Sequence, residues 1–549
     1  MVNATEPAVV SPRILVMGSR ALLVEVAGAA AMTDAQAVRS AMQLTQALVD
    51  PPAGVVELVP AARTVLVRFD PRVISAHRVR EWIAAATAHA HPPARSTDVA
   101  SVMLEVHYDG DDLAGTAKLL GLSTEALVAR HSAAPWTVAF TGFAPGFGYL
   151  VREDWIFDVP RLDAPRTRVP VGSVALAAGF SGVYPRATPG GWRLIGSTEA
   201  ALFDPAEDPP ALLTPGSVVH FTPAHARLSG HSSGSGHSRG PNLPHPPAGV
   251  TTPAGVTTTS PPRVEVLAPG PLATIQDLGR PVAAALGIAR SGALDRAALL
   301  TANRLVGNDE DAAALEITMG GFRATTTQDL WIAATGAMAP LRIGASAADS
   351  GTAQLWRAGE ELSLDTPEHG VRTYLAVRGG IEAAIVVGSR SSDLMSGLGP
   401  PPLRAGSTVA VGSAIAGAIP VIEFPPWGGS HDGELTLILE PGARREWFSA
   451  EALATLFDAV WTVTADANRS GVRLDGPELV RSVAGELPSE GMVVGALQVP
   501  PSGRPTILLA GGPVTGGYPV IAVVADASLD ALAHARPGTR IRFRHSVTR

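Results

Sequence analysis

A chain of 549 residues with 46% hydrophobic and 17% charged side chains can bury enough apolar surface to fold as three or four globular domains, at roughly 150 residues each. It has no cysteine, and Lys118 is its one lysine, so 41 of its 42 basic residues are arginine. Thiol nucleophiles, disulfides and thiolate metal sites are excluded, and a net charge of −8 without a basic run points to neither nucleic acid nor a membrane but to a small substrate.

The N-terminal MVNATEPAVVSPR carries no signal-peptide pattern and no apolar run approaches 18 residues, so a cytoplasmic protein is expected. Residues 13–28 read as two strands around the turn dipeptide Gly18-Ser19. Asp34 is a plausible cap for a helix with the apolar stripe Val38, Ala41, Met42 and Leu48. A strand follows over 63–69, then a helix with Val79, Trp82, Ile83 and Ala86 at i, i+3, i+4 and i+7. Together these predict a small α+β domain over 1–95.

Residues 96–225 begin with a strand and two short helices around Lys118 and Glu125, then break into short strands divided by Gly and Pro, as in a β-barrel. Lys118 lacks the glycine pattern of a phosphate loop and reads as a helix-surface residue. Residues 226–262 are Ser, Gly, Pro, Thr and His with almost no large apolar side chain, a disordered linker that splits the chain like two fused proteins. It contains GHSSG (230–234), which matches a nucleophile elbow but lacks the strand and helix that such an elbow joins.

Internal similarity extends across the linker. VALAAGFSGVYP (174–185) resembles ILLAGGPVTGGYP (507–519), and TPGSVVHF (214–221), RAGSTVAV (404–411) and RPGTRIRF (536–543) each place a Gly turn before an alternating strand. Three related barrels are expected, over 96–225, 263–412 and 413–549.

Several segments carry candidate chemistry. GFAPGFGYL (142–150), which includes Tyr149, is so dense in glycine that its backbone must adopt unusual dihedrals or be closely approached; a structural loop and a ligand-lining loop fit equally. Residues 165–196 set Arg166, Arg168, Arg186 and Arg193 among strands with Ser173 and Tyr184, and arginine suits a bidentate grip on carboxylate or phosphate unless it is merely solvated. ATIQDLGR (273–280) and SGALDRAALLTANRLVGN (291–308) bring Gln276, Asp277, Arg280, Asp295 and Asn303 into sequence reach, a set that can bind a lactam or carboxamide. For Asp295 the favoured reading is the N-terminus of the helix that follows. Glu316, Arg378, Arg473, Glu490 and Gln498 are polar residues in β-type sequence, facing either solvent or a cavity. His131 ends an amphipathic stretch and reads as a helix C-terminal residue, with a role at the site as the alternative. None of the 14 histidines belongs to a metal motif, so no metal site is expected.

GFAPGFGYL and PRTRVPVGSVALAAGFSGVYPRATPGGWRLIGST resemble the B subunit of prokaryotic 5-oxoprolinase, a family also labelled allophanate hydrolase subunit 1 that includes a sporulation kinase inhibitor. ATIQDLGRP, SGALDRAALLTANRLVGN, LEITMGG, YLAVRGGI, GSRSSDLMSGLG, GVRLDGPEL, LPSEG and TGGYPVIA resemble the C subunit, labelled allophanate hydrolase subunit 2. The likeness covers about 12–222 and 263–545. It implies a mainly β fold in which a small α+β domain precedes three cyclophilin-like barrels. It also implies ATP-dependent opening of 5-oxoproline to glutamate with a separate A subunit. ATP would be a co-substrate that can bring magnesium, no biotin would sit on this chain, and self-association stays open. Asp277, Asp295 and Glu490 are the carboxylates expected to serve catalysis. Substrate or nucleotide is expected against His131, Tyr149, Arg168, Ser173, Tyr184, Arg193, Gln276, Arg280, Asn303, Arg378, Arg473, Gln498 and Tyr518. The sequence departs from the family where an acidic residue usually precedes TGGYP, here Gly512 and Pro513. It departs again after QDLGR, where PVAAALGI stands, and at Asn468-Arg469-Ser470-Gly471. A urea-carboxylase-linked component and a histidine-kinase regulator are the alternative readings. The allophanate label itself is discounted, because that amidase needs a Ser-Ser-Lys arrangement and Lys118 has no such context.

Overall fold

The computed structural model describes residues 12–88, 100–224, 261–420 and 433–546, apart from 27, 29–31, 33, 165, 208, 484 and 486. All of 226–260, including GHSSG, lies outside the described residues.

The turn at Gly18-Ser19 joins Arg13–Val16 to Ala21–Glu25 as an antiparallel hairpin, and Thr64–Phe69 and Val55–Pro60 extend it to a four-stranded sheet. Helices Asp34–Ala47 and Ala76–Ala88 cover one face, where Val38 faces the neighbouring barrel and Ala41, Val79 and Ile83 pack on Leu22, Val24, Val65 and Val67. The alternate residues Leu23 and Leu66 point the other way and pack with Met492, Leu508, Val514 and Val523 of the last barrel. A sheet covered on both faces needs apolar residues at every position, which is why these strands read as continuous rather than alternating. The hairpin tip docks on the same barrel: Gly18 N–H donates to Pro441 O at 2.9 Å and Ser19 N–H to Glu440 Oε2 at 2.6 Å.

The next domain is a seven-stranded sheet whose first strand, Ser101–Val106, is followed by helices Leu113–Leu119 and Thr124–Ser132; Lys118 is exposed on the first of these helices. After the linker come two sheets, of seven and five strands, around a core that includes Phe322, Trp356 and Leu375. The last domain closes into a seven-stranded barrel.

The three sequence repeats become one structural device. Val218–Pro223, Thr408–Val411 and Arg540–His545 each pair with the first strand of their own domain, Ser101–Val106, Arg263–Pro269 and Leu435–Pro441. The first and third pair in parallel and the second antiparallel. The turn glycines before them, Gly216, Gly406 and Gly538, have φ of +91°, +83° and +88°, a region side chains disfavour, which accounts for glycine at all three. The architecture is mainly β with an α+β module, as expected. Among the described residues no helix is long and apolar enough to cross a membrane.

Candidate functional site

Segments of both halves converge where the glycine-rich loop of the first β-domain meets the second half. A Cβ on Gly142 would lie 2.3 Å from Thr515 Oγ1 in the TGGYP turn, and Phe143 N–H donates to that hydroxyl at 3.3 Å. Thr141 Oγ1 donates to Ala285 O, and Gly287 lies so close to Ala144 O that a Cβ there would be 2.9 Å away. The glycine density therefore serves close approach between the two halves. Behind the loop, Phe140 stacks on Tyr149 with ring centres 4.3 Å apart, and Phe147 packs edge-on against Tyr184 and Trp192. Burial pushes the hydroxyls of Tyr149 and Tyr184 up to about 12, so both stay protonated at neutral pH. Gly142→Ala should displace the loop from Thr515, destabilising the chain by about 1–3 kcal/mol as an overpacked core does, and should lower turnover at least about tenfold through misplacement. Denaturant unfolding and steady-state rates check both.

Next to this junction a small cleft opens between the N-terminal sheet, the loop 280–290 and the last barrel. Its walls include Met492, Leu508 and Val514, and its charged residues are Glu57, Arg68, Arg280 and Arg290. Glu57 is fully engaged: Oε2 accepts from Arg68 Nη1 at 2.6 Å and Oε1 from Ala284 N–H at 2.7 Å. Arg280 is 1% exposed; its Nη2 donates to Ser391 O at 2.8 Å, while Nε and Nη1 have no partner among the described residues. Burial lowers its pKa, with Asp393 and Asp277 opposing. Gln276 Oε1, Ser392 Oγ and Asp393 Oδ2, from the segments that adjoin Arg280, are likewise buried without partners among the described residues. Buried polar groups are nearly always hydrogen-bonded. A concentration of open donors and acceptors fits a polar ligand carrying both.

The expected site residues scatter. Arg280 alone of them lines the cleft, and Gln276 and Asp277 stand behind it, Gln276 donating to Ser392 O at 3.1 Å. The three carboxylates expected to be catalytic are committed elsewhere. Asp277 accepts from Gly279 N–H (2.8 Å), Ser389 Oγ (2.6 Å) and Ser391 Oγ at Oδ1 and from Arg390 N–H (2.6 Å) at Oδ2, so it fixes the loop 389–391. Asp295 caps the helix Arg296–Leu305 through Ala298 N–H at 2.8 Å, and its other oxygen meets His534 Nε2 at 2.7 Å. Glu490, 2% exposed, is held by Arg444, whose Nε lies 3.0 Å away and whose Nη2 also reaches Glu25 at 3.1 Å.

The binding set needs similar correction. His131 does lie in the last turn of Thr124–Ser132, but it is 0% exposed and bonded to Tyr108 and Ser181 at 2.8 Å each, and burial together with Arg152 pushes it down to about 3, so it is a neutral core histidine. Asn303 ties off the backbone of Glu310 and Ala312, Ser173 donates to Pro170 O, Arg193 to Pro160 O, and Arg378 to Val306 O and Gly417 O. Gln498 donates to Met492 Sδ at 3.2 Å, and Tyr518 is exposed. Tyr149 and Tyr184 belong to the aromatic cluster behind the junction. Arg168 is exposed on Arg166–Val169, and Arg473 is exposed and paired with Asp466 at 3.2 Å. An exposed pair contributes little, so Arg473→Ala should keep turnover and stability within about twofold and ~0.5 kcal/mol, measured beside the wild type.

Arg68 and Arg290 were not expected at the site. The trace of Arg68 in sequence is a charged residue near the end of the apolar run of RTVLVRF; Arg290 has none beyond its place before SGALDR. Among the described residues no group of three or more His, Asp or Glu side chains could hold a metal.

Composite β-domains meeting at such a junction place the chain among the carboxyltransferase-domain proteins. Residues 286–545 match the family described as carboxyltransferase domain, subdomain A and B, and residues 12–213 the family described as carboxyltransferase domain, subdomain C and D. The C subunit of 5-oxoprolinase from Escherichia coli (strain K12) is 35% identical over 285 residues, 51% of this chain and 90% of that protein. The B subunit of 5-oxoprolinase from Escherichia coli O157:H7 is 41% identical over 186 residues, 33% of this chain and 83% of that protein. The crystal structure of TTHA0988 superposes with a TM-score of 0.78 at 34% identity, covering 96% of this chain and 99% of that one. The chain belongs to the family of the 5-oxoprolinase B and C subunits, with the regions of both joined in one polypeptide.

Proposed function

We propose that this chain is the joined B and C component of an ATP-dependent 5-oxoprolinase, opening 5-oxoproline to glutamate in the cytoplasm with a separate A subunit. The observation that carries the reading is Arg280, a nearly inaccessible guanidinium with two open donors at a junction built from both halves. A lactam is resonance-stabilised, and its opening needs the amide oxygen made into a leaving group. ATP supplies the phosphoryl group, the amide oxygen departs as phosphate, the ring C–N bond breaks, and water supplies the new carboxyl oxygens. Preorganised guanidinium donors favour the charge that develops on those oxygens.

Mixing the purified chain with the A subunit should release glutamate and ADP together on adding 5-oxoproline and ATP. ATP hydrolysis indifferent to 5-oxoproline would overturn the reading. The match to carboxyltransferase families favours one second reading, a component acting on urea-derived amides. Turnover of urea with a biotinylated carrier, and none of 5-oxoproline, would select it.

A further inference from the structure

We infer that the cleft beneath Arg68, Arg280 and Arg290 is a binding site for a phosphate-class oxyanion, completed only when both halves of the chain contribute. Arg68 comes from the N-terminal sheet, Arg280 ends QDLGR and Arg290 lies in the loop after it, so neither half holds the set alone. The inference deepens the function proposed above and rests on its placing of the reactive site at this junction.

Of the three arginines that line the cleft, Arg68 is paired with Glu57 and Arg280 lies in the field of Asp393 and Asp277, while Arg290 has no carboxylate bonded to it among the described residues. Arg290 makes one long bond, Nε to Leu278 O at 3.3 Å. Burial and the neighbouring Arg296, Arg68 and Arg20 bring it down to about 10, against Asp526, and it remains charged at neutral pH. Gathering like charges in a partly desolvated cleft is unfavourable unless an anion offsets them. The open Nε and Nη1 of Arg280 are a second, independent sign, and Ser291 adds a third. Its hydroxyl is buried without a partner among the described residues, its φ is +56°, and its N–H donates to Ala510 O at 2.9 Å, pinning the arginine loop to the last barrel. Residues in the left-handed region are strained, and such strain concentrates at ligand sites.

On the facing barrel Asp526 acts on Arg290 but is itself paired with Arg20 at 2.5 Å, and the stretch at 512–513 supplies no counter-charge. Gly512 and Pro513, which stand where the family resemblance expects an acidic residue, line this cleft. Arg290 and the open Nε and Nη1 of Arg280 offer donors from separate side chains, which suits a tetrahedral oxyanion better than a planar carboxylate held by one fork. Inorganic phosphate and the phosphate tail of a nucleotide share that chemistry.

Calorimetric titration of the full chain without the A subunit, at constant ionic strength, tests it with inorganic phosphate, ADP and adenosine. Saturable, mutually competitive binding of phosphate and ADP, with none of adenosine, is expected; ADP at least tenfold tighter than phosphate assigns a nucleotide tail, and equal or weaker ADP assigns free phosphate. Arg290→Gln should weaken phosphate at least tenfold and Arg473→Gln should not. Pro513→Asp, which adds a carboxylate to the opposite wall and keeps every arginine, should weaken it as well if Arg290→Gln fails to fold. No saturable phosphate or ADP binding, or unchanged affinity in Arg290→Gln or Pro513→Asp, would overturn the inference. Phosphate binding that is lost in these variants, in a chain that never turns over 5-oxoproline, would instead sink the proposed function and leave this site standing.

Discussion

Arg280→Met should leave the chain as stable as the wild type or more so while removing its turnover. A buried donor without a partner costs about 1–3 kcal/mol, and Arg280 carries two on a side chain that is 1% exposed. Against that stand one hydrogen bond to Ser391 O and the fields of Asp393 and Asp277. Methionine keeps the volume of the stem and removes the unpaired charge, so the denaturant midpoint is expected to hold or rise. Removing one preorganised donor from a reaction site costs about 10²–10³ in kcat, and glutamate release with the A subunit should fall by that much. A structural arginine behaves oppositely: breaking a well-paired buried charge destabilises by about 3–5 kcal/mol. A fall of that size in Arg280→Met would show that the guanidinium serves the fold.

The contrast between Arg280 and the expected carboxylates shows what the sequence could carry. Repeats and local signals survived intact, because a glycine turn before a closing strand is decided by its own dihedral. The hairpin at Gly18-Ser19 and the helical stripe through Val79 and Ile83 are local in the same sense. Whether a polar residue is free or committed is not local. Glu490 is committed by Arg444, which also holds Glu25 from 419 positions away. Asp295 is committed by His534, 239 positions on. The missed arginines have the same cause: Arg68 joins the cleft because the N-terminal sheet buries its second face on a barrel more than 400 residues downstream. The apolar runs at 21–24 and 65–67 were a legible sign of that second face.

The second large effect is expected at Glu316, a strand residue that proves to be the hub between the two domains of the C-like half. Its carboxylate is 1% exposed, accepts from Tyr374 Oη at 2.7 Å, is bonded by Arg469 Nη1 and lies 3.6 Å from Arg372 Nε. Arg469, in the segment that departs from the S-R-x-G pattern, also donates to Gly292 O, so this one carboxylate fastens the last barrel to the loop that carries the cleft arginines. Glu316→Leu leaves two buried guanidiniums without their counter-charge and should destabilise by about 3–5 kcal/mol. Burial alone would raise the Glu316 pKa, but Arg469 and Arg372 hold it below its ordinary 4.5. The folded carboxylate is thus the weaker proton binder, so its contribution is full above the unfolded value and is lost as pH falls through the folded one. Unfolding curves from neutral to acid should show that loss in the wild type and a flatter dependence in Glu316→Leu. Adding Arg469→Met and Arg372→Met to Glu316→Leu should recover most of the stability, since an apolar set of similar volume often replaces a buried charge cluster without loss. A single variant costing less than ~1 kcal/mol would mean that water reaches the pair, and the hub assigned to Glu316 would fall with it.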